Sequence, residues 1–143
     1  MVESTPTTHY FDNNDAYRQE TSRFPHDTSS QAIGVSHPDK SIDVYINRSY
    51  YLGKGGILPE QLQAIIVHEV TESACRDKHS PDPHYEATVA EYQWIYNRVD
   101  GGGAQELFAY HCKMESLIGA IGSKTRRKAL TAVLGYDPYA EKR

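Results

Sequence analysis

Pro59-Glu60-Gln61-Leu62-Gln63-Ala64-Ile65-Ile66-Val67-His68-Glu69-Val70-Thr71-Glu72-Ser73-Ala74-Cys75-Arg76-Asp77-Lys78 is the stretch on which the reading of this chain turns. Pro59 stands where a helix can begin, because its missing amide hydrogen costs nothing in a first turn. Leu62, Ile65, Ile66, Ser73 and Ala74 then recur on one side at helical spacing, which predicts a helix over 59–78. At roughly 100° per residue His68, Glu72 and Cys75 share a stripe with Ile65, and Glu69 falls between that stripe and Leu62. The polar groups flank the apolar face instead of opposing it, which is not where solvated carboxylates belong. An imidazole and a carboxylate one turn apart, with Cβ atoms about 5–6 Å from each other, can take the same ion.

The run His68-Glu69-Val70-Thr71-Glu72 reads HExxE, the zinc-hydrolase signature HExxH with one ligand changed. A hydrolytic zinc site needs three protein ligands, an open position for water and a base beside that water. His68 and Glu72 supply two ligands, and Glu69 occupies the position of the base. The third comes from elsewhere, and His84 is the choice, because it opens the next helix after a short connection. His79, in that connection, is the substitute. Glu91 lies two turns past His84, about 10.5 Å along the axis, too far for both to reach one ion easily. It is therefore assigned to holding a ligand imidazole or Arg98, with ligation in place of His84 as the alternative.

Outward from this helix the pattern is simpler. Ile42, Val44 and Ile46 alternate with polar neighbours, predicting a half-buried strand that Tyr50, Tyr51 and Leu52 extend. Asp82-Pro83 predicts an N-cap and first turn for a second helix, with His84, Ala87, Thr88, Glu91, Trp94, Ile95 and Arg98 along one side. A third helix carries Leu107, Phe108, Tyr110, His111, Met114, Leu117 and Ile118. Ser123 caps a fourth, with Leu130, Val133 and Leu134, closed by Gly135. Gly101-Gly102-Gly103 lacks the spacing of a phosphate loop and reads as a hinge or turn. Residues 1–38, polar with isolated aromatics, read as a flexible or loosely docked arm, and His9, His26 and His37 in it as incidental. The expectation is an α+β fold: residues 39–143 form one domain, a small sheet packed against three to four helices.

The chain has 143 residues, 38% of them hydrophobic, and a formal net charge of -4. That balance offers no general attraction for nucleic acid or anionic lipid, and no apolar run is long enough for a bilayer. A soluble, cytoplasmic protein is expected, with neither membrane nor nucleic acid as partner. Lys124, Arg126, Arg127 and Lys128 read as a solvated helix face; a nucleic-acid accessory role would rest on that cluster alone. Cys75 and Cys112 belong to no CxxC pair and read as small buried hydrophobes. Tyr110 reads as core, with polarisation of a substrate carbonyl by Tyr110 or His111 as the alternative.

Two motifs together resemble a known family. HExxE over His68–Glu72 is followed by HxxATxxE over His84-Tyr85-Glu86-Ala87-Thr88-Val89-Ala90-Glu91, after a strand at Val44-Tyr45-Ile46-Asn47-Arg48. This is similar to small proteins of bacteriophages and bacterial proviruses, over about residues 42–115. The resemblance implies a minimal zincin-like core with a metal site on His68, Glu69, Glu72, His84 and Glu91. The expected function is metal-dependent hydrolysis of peptide bonds in a peptide or protein substrate. Zinc, or else manganese or iron, would sit on His68, Glu72 and His84, with Glu69 as general base. Glu72 in place of a neutral imidazole weakens the Lewis acidity of the ion and predicts slow turnover. The alternative is a non-catalytic protein in which the metal, or an ion-pair network, ties the two helices together.

Overall fold

The computed structural model describes residues 6–24, 30–53, 56–98, 103–118 and 123–140. Its elements are β1 (Thr7–Phe11), α1 (Asn14–Thr21), β2 (Ala32–Ser36), β3 (Ile42–Asn47), α2 (Arg48–Leu52), a 3₁₀ turn (Pro59–Gln61), α3 (Leu62–Asp77), α4 (Pro83–Tyr96), α5 (Ala104–Ile118) and α6 (Ser123–Leu134). The class is α+β, as expected, with a small sheet against helices.

The alternating run of β3 does form a strand, but it is the central one. Its neighbours come from the segment expected to be an arm: β1 pairs parallel with β3 from Thr7↔Asp43 to Phe11↔Asn47, and β2 pairs antiparallel from Ala32↔Ile46 to Ser36↔Ile42. The boundary at residue 38 is thus corrected, for the described residues, because two of the three strands precede it. Period-two alternation in β1 and β2 is short and interrupted by polar residues, so pairing with β3 decides their conformation more than their own composition does. His9 and His37 are drawn into the same frame, their Nε2 atoms 3.2 and 2.6 Å from the two oxygens of Asp43. His26 and most of the glycine run at 101–103 lie outside the described residues.

A central strand is covered on both faces, which corrects the half-buried reading of β3. Val44 and Ile46 join Ala32 in the main core with the helices. Tyr45 and Ile33 pack on the other face against the fully buried Tyr17 of α1. Gly34 of β2 faces α3: a Cβ there would sit 2.6 Å from Ser73 Oγ and 2.9 Å from the Glu69 carbonyl oxygen. Its lack of a side chain is what lets α3 lie directly on the sheet at the turn that carries Glu69.

Tyr50, Tyr51 and Leu52 do not extend β3. They form the short helix α2, whose exit is pinned by Ile57 N donating to Tyr51 O at 2.8 Å. The four long helices follow the apolar stripes closely. Asp82 caps α4, accepting from Tyr85 N at 3.2 Å, with Pro83 in the first turn. Gly135 ends α6 with φ +86°, the left-handed cap that glycine takes at no steric cost. Cys75 is half-buried and Cys112 exposed, so neither is the enclosed hydrophobe expected. Cys112 lies on the solvent side of α5, whose inward positions are Leu107, Tyr110, His111 and Met114. No described helix is long and apolar enough to cross a membrane.

Candidate metal centre

α3 and α4 lie side by side after a short connection, and this brings the two motifs face to face. His68 is 5% exposed, on the core-facing side of α3. Its Nε2 lies 3.8 Å from Glu72 Oε1, one turn on. His84, in the first turn of α4, places Nδ1 3.6 Å from Glu72 Oε2, and the two imidazoles meet edge to face with centroids 5.1 Å apart. One ligand atom from each of His68, Glu72 and His84 lies within 4.8 Å of the others. Ligands about 2.0–2.1 Å from a tetrahedral zinc ion stand about 3.3 Å from each other, so small rotations would bring these three onto one ion. Among the described residues no other group of His, Cys, Asp and Glu has this spacing. His79, exposed at the end of α3 with φ +59°, is not part of it.

Glu91 is fully buried and stands behind His68. Its Oε1 is 2.8 Å from His68 Nδ1, its Oε2 accepts from the Tyr110 hydroxyl at 2.6 Å, and Arg126 Nη1 donates to Oε2 at 3.1 Å. Burial alone would raise its pKa, but the charge of Arg126 and the hydrogen bond from His68 overcome it and hold the carboxyl at about 2. An ionised carboxylate only accepts, so His68 Nδ1 carries a proton, and Nε2 is the nitrogen turned toward Glu72. Glu91 therefore orients a ligand imidazole, and its other partner is Arg126. Arg98, the partner expected, pairs with Glu106 at 3.5 Å and stacks over Trp94.

Glu69 points into the cleft beside these groups and is 8% exposed. Burial pushes its carboxyl well above the usual range, and the negative charges of Glu72 and Glu91 add to this, against Arg76 and Arg126. Glu72 goes the other way. Burial opposes its ionisation, yet the close approach of His84 and the charges of His68 and Arg76 hold its pKa below normal. Two carboxyl groups one turn apart are thus tuned in opposite directions, one toward keeping a proton and one toward giving it up.

The cleft has a volume of about 980 Å³ and runs between α3 and β2. Every residue from 30 to 36 lines it, so the outer edge of β2 borders the groove that holds His68, Glu69, Glu72 and His84.

Sequence reasoning missed three residues here. Arg126, read as part of a solvated basic face, is 6% exposed. The signal was present: 126, 130 and 133 are spaced i, i+4, i+7, so Arg126 shares the apolar stripe of Leu130. Tyr51, read as a strand extension, lines the cleft. Tyr92 is fully buried, its hydroxyl 2.7 Å from His111 Nδ1, which keeps His111 in the core and away from the cleft. Tyr110, through its hydrogen bond to Glu91, is likewise not a cleft group. Compared with protein-family models, curated proteins and solved structures, the chain matches none of them. The family likeness rests on the two motifs alone.

Proposed function

We propose that this chain is a zincin-like metal-dependent hydrolase that cleaves peptide bonds. One observation carries the reading: ligand atoms of His68, Glu72 and His84 converge to within 4.8 Å at the wall of a large cleft. The set is His₂Glu, a composition that catalytic zinc uses, and a bound zinc ion would lower the pKa of its water toward neutrality and polarise a carbonyl. The chain's own residues supply the rest. Glu91 fixes the tautomer and angle of His68. Glu69, close to the ligands and with a carboxyl that makes no hydrogen bond among the described residues, would take the proton of the attacking water once the positive charge of a bound ion had drawn its raised pKa down, and return it to the leaving amine. The open edge of β2 offers main-chain donors and acceptors to an extended peptide, which favours a peptide over a compact small molecule as substrate. The likeness to phage and provirus proteins agrees with this reading.

A second reading, an ion or ion-pair cluster that serves only structure, is favoured by the number of bonds converging on Glu91 from α3, α5 and α6. The test is a pair of measurements on protein purified without chelator. Metal content should be one ion per chain in wild type and in Glu69→Gln. Peptide hydrolysis should fall by about 10²–10⁴-fold in the variant. Full metal with no hydrolysis by wild type would leave a structural metal site standing, and no stoichiometric metal would leave only the ion-pair cluster.

A further inference from the structure

Besides the enclosed Ser73 hydroxyl, two hydrogen-bond donors stand in the wall of the cleft without an acceptor among the described residues. The first is the guanidinium of Arg126, which lines the cleft from α6. It uses Nη1 only, toward Glu91 Oε2 at 3.1 Å and the Tyr92 hydroxyl at 3.4 Å. Nε is enclosed and has no partner, and Nη2 has none among the described residues but is not sealed off as Nε is. The second is the hydroxyl of Tyr51, on α2. Tyr51 is 7% exposed and lines the same cleft, and its hydroxyl has no acceptor among the described residues. Glu69, Glu91 and Arg126 line this cleft with it.

Neither donor is idle for want of ordering. The backbone of Tyr51 is held by Ile57 N, and a Cβ on Gly56 would lie 2.0 Å from the Tyr51 carbonyl oxygen, so the chain crowds in close to fix α2. Tyr50 ties α2 to α5 by donating to the Leu117 carbonyl oxygen. Arg126 is fixed through Glu91. An enclosed donor left unmet costs about 1–3 kcal/mol, and Arg126 Nε is one; Arg126 Nη2 and the Tyr51 hydroxyl are not enclosed and are the donors that an acceptor in the cleft can reach. Nη2 of Arg126 can donate to one oxygen of a carboxylate and the Tyr51 hydroxyl to the other.

We propose that Arg126 and Tyr51 form an anion pocket beside His68 and Glu69 that binds a carboxylate of the substrate. The ligand is then a peptide with a free C-terminus or an acidic side chain next to the bond to be cut. This rests on the metal-hydrolase reading, because the ligand set is what places the scissile bond.

The test uses the zinc-loaded full chain and three short peptide hydroxamates of equal length, titrated by calorimetry. One ends in a free α-carboxylate, one in a carboxamide, and one in a carboxamide with an aspartate side chain. At least one carboxylate form should bind about tenfold or more tightly than the neutral carboxamide, as a charge-assisted pair requires. The better of the two tells a chain terminus from a side chain. Arg126→Lys should cut the preference to under about threefold, and Tyr51→Phe, which leaves the Glu91–Arg126 pair intact, should cut it by less. Equal affinity of all three for wild type overturns the anion pocket and leaves the metal site in place. Failure of all three to bind overturns the hydrolase reading and the pocket with it.

Discussion

The inner and outer halves of the site differ in how they are held. Behind His68, the contacts of Glu91 run from 2.6 to 3.1 Å and are buried on all sides. In front of it, Glu72 meets His68 and His84 at 3.8 and 3.6 Å, too long for hydrogen bonds, and the His84 side chain is 44% exposed. The inner half is satisfied by protein alone, while the outer half has the spacing of groups that would meet on something between them. Stability and binding should therefore map onto different residues, although one imidazole belongs to both halves.

The sharpest way to break this division is Glu91→Ala. It leaves Arg126 charged and enclosed without its counter-ion, so unfolding by denaturant should show a loss of about 3–5 kcal/mol. A loss under about 1 kcal/mol would mean that the inner network is not what holds α6 in place. Next comes Gly34→Ala, which drives a methyl group against Ser73 and the Glu69 carbonyl. Overpacking of this kind costs about 1–3 kcal/mol, and since α3 must move, metal affinity should drop with stability. Unchanged affinity in a destabilised variant would separate the sheet contact from the site.

A smaller effect sharpens the picture at the edge of the network. Glu115 accepts from Arg127 at 2.8 Å and from Ser123, and its carboxyl is held at about 2 against an ordinary 4.5; burial opposes this and those hydrogen bonds outweigh it. Because the folded pKa is the lower one, the stabilisation is full above about pH 4.5 and is lost as pH falls through about 2. Solvent screening keeps it under about 1 kcal/mol. Acid titrations of wild type and Glu115→Gln should converge near pH 2 and separate above pH 4.5. The smallest change in stability, within about 0.5 kcal/mol without metal, belongs to His84→Ala, since the side chain is half in water. Its zinc affinity should nevertheless fall at least about tenfold by competition titration. A stability loss equal to that of Glu91→Ala would erase the distinction between the halves.

The parts of this arrangement that were legible in the chain are those set by local spacing. His68 and Glu72 lie one turn apart on any helix, and Asp82-Pro83 fixes where α4 begins, so the outer half could be written from residues 68–84. The long helices were equally readable from their stripes. What could not be read depended on pairing at a distance. β1 and β2 become strands because β3 lies between them, and nothing in Thr7–Phe11 alone announces it. Arg126 carried a usable signal in its spacing to Leu130, but the basic neighbours Lys124, Arg127 and Lys128 masked it. Tyr51 was missed because an aromatic pair after a strand looks like more strand, and only the crowding of Gly56 against its carbonyl turns the chain into α2.

The union of Glu91 with Arg126 spans 35 residues. During translation at about 5–20 residues per second, the acid of α4 emerges roughly 2–7 s before the base that neutralises it. Over that interval a nascent chain has to keep the carboxylate wet or protonated, so α4 cannot settle into its final berth ahead of α6. His68 receives its fixed tautomer only when that wait ends. Any ion capture by His68, Glu72 and His84 would consequently be a property of the finished molecule and not of a growing one.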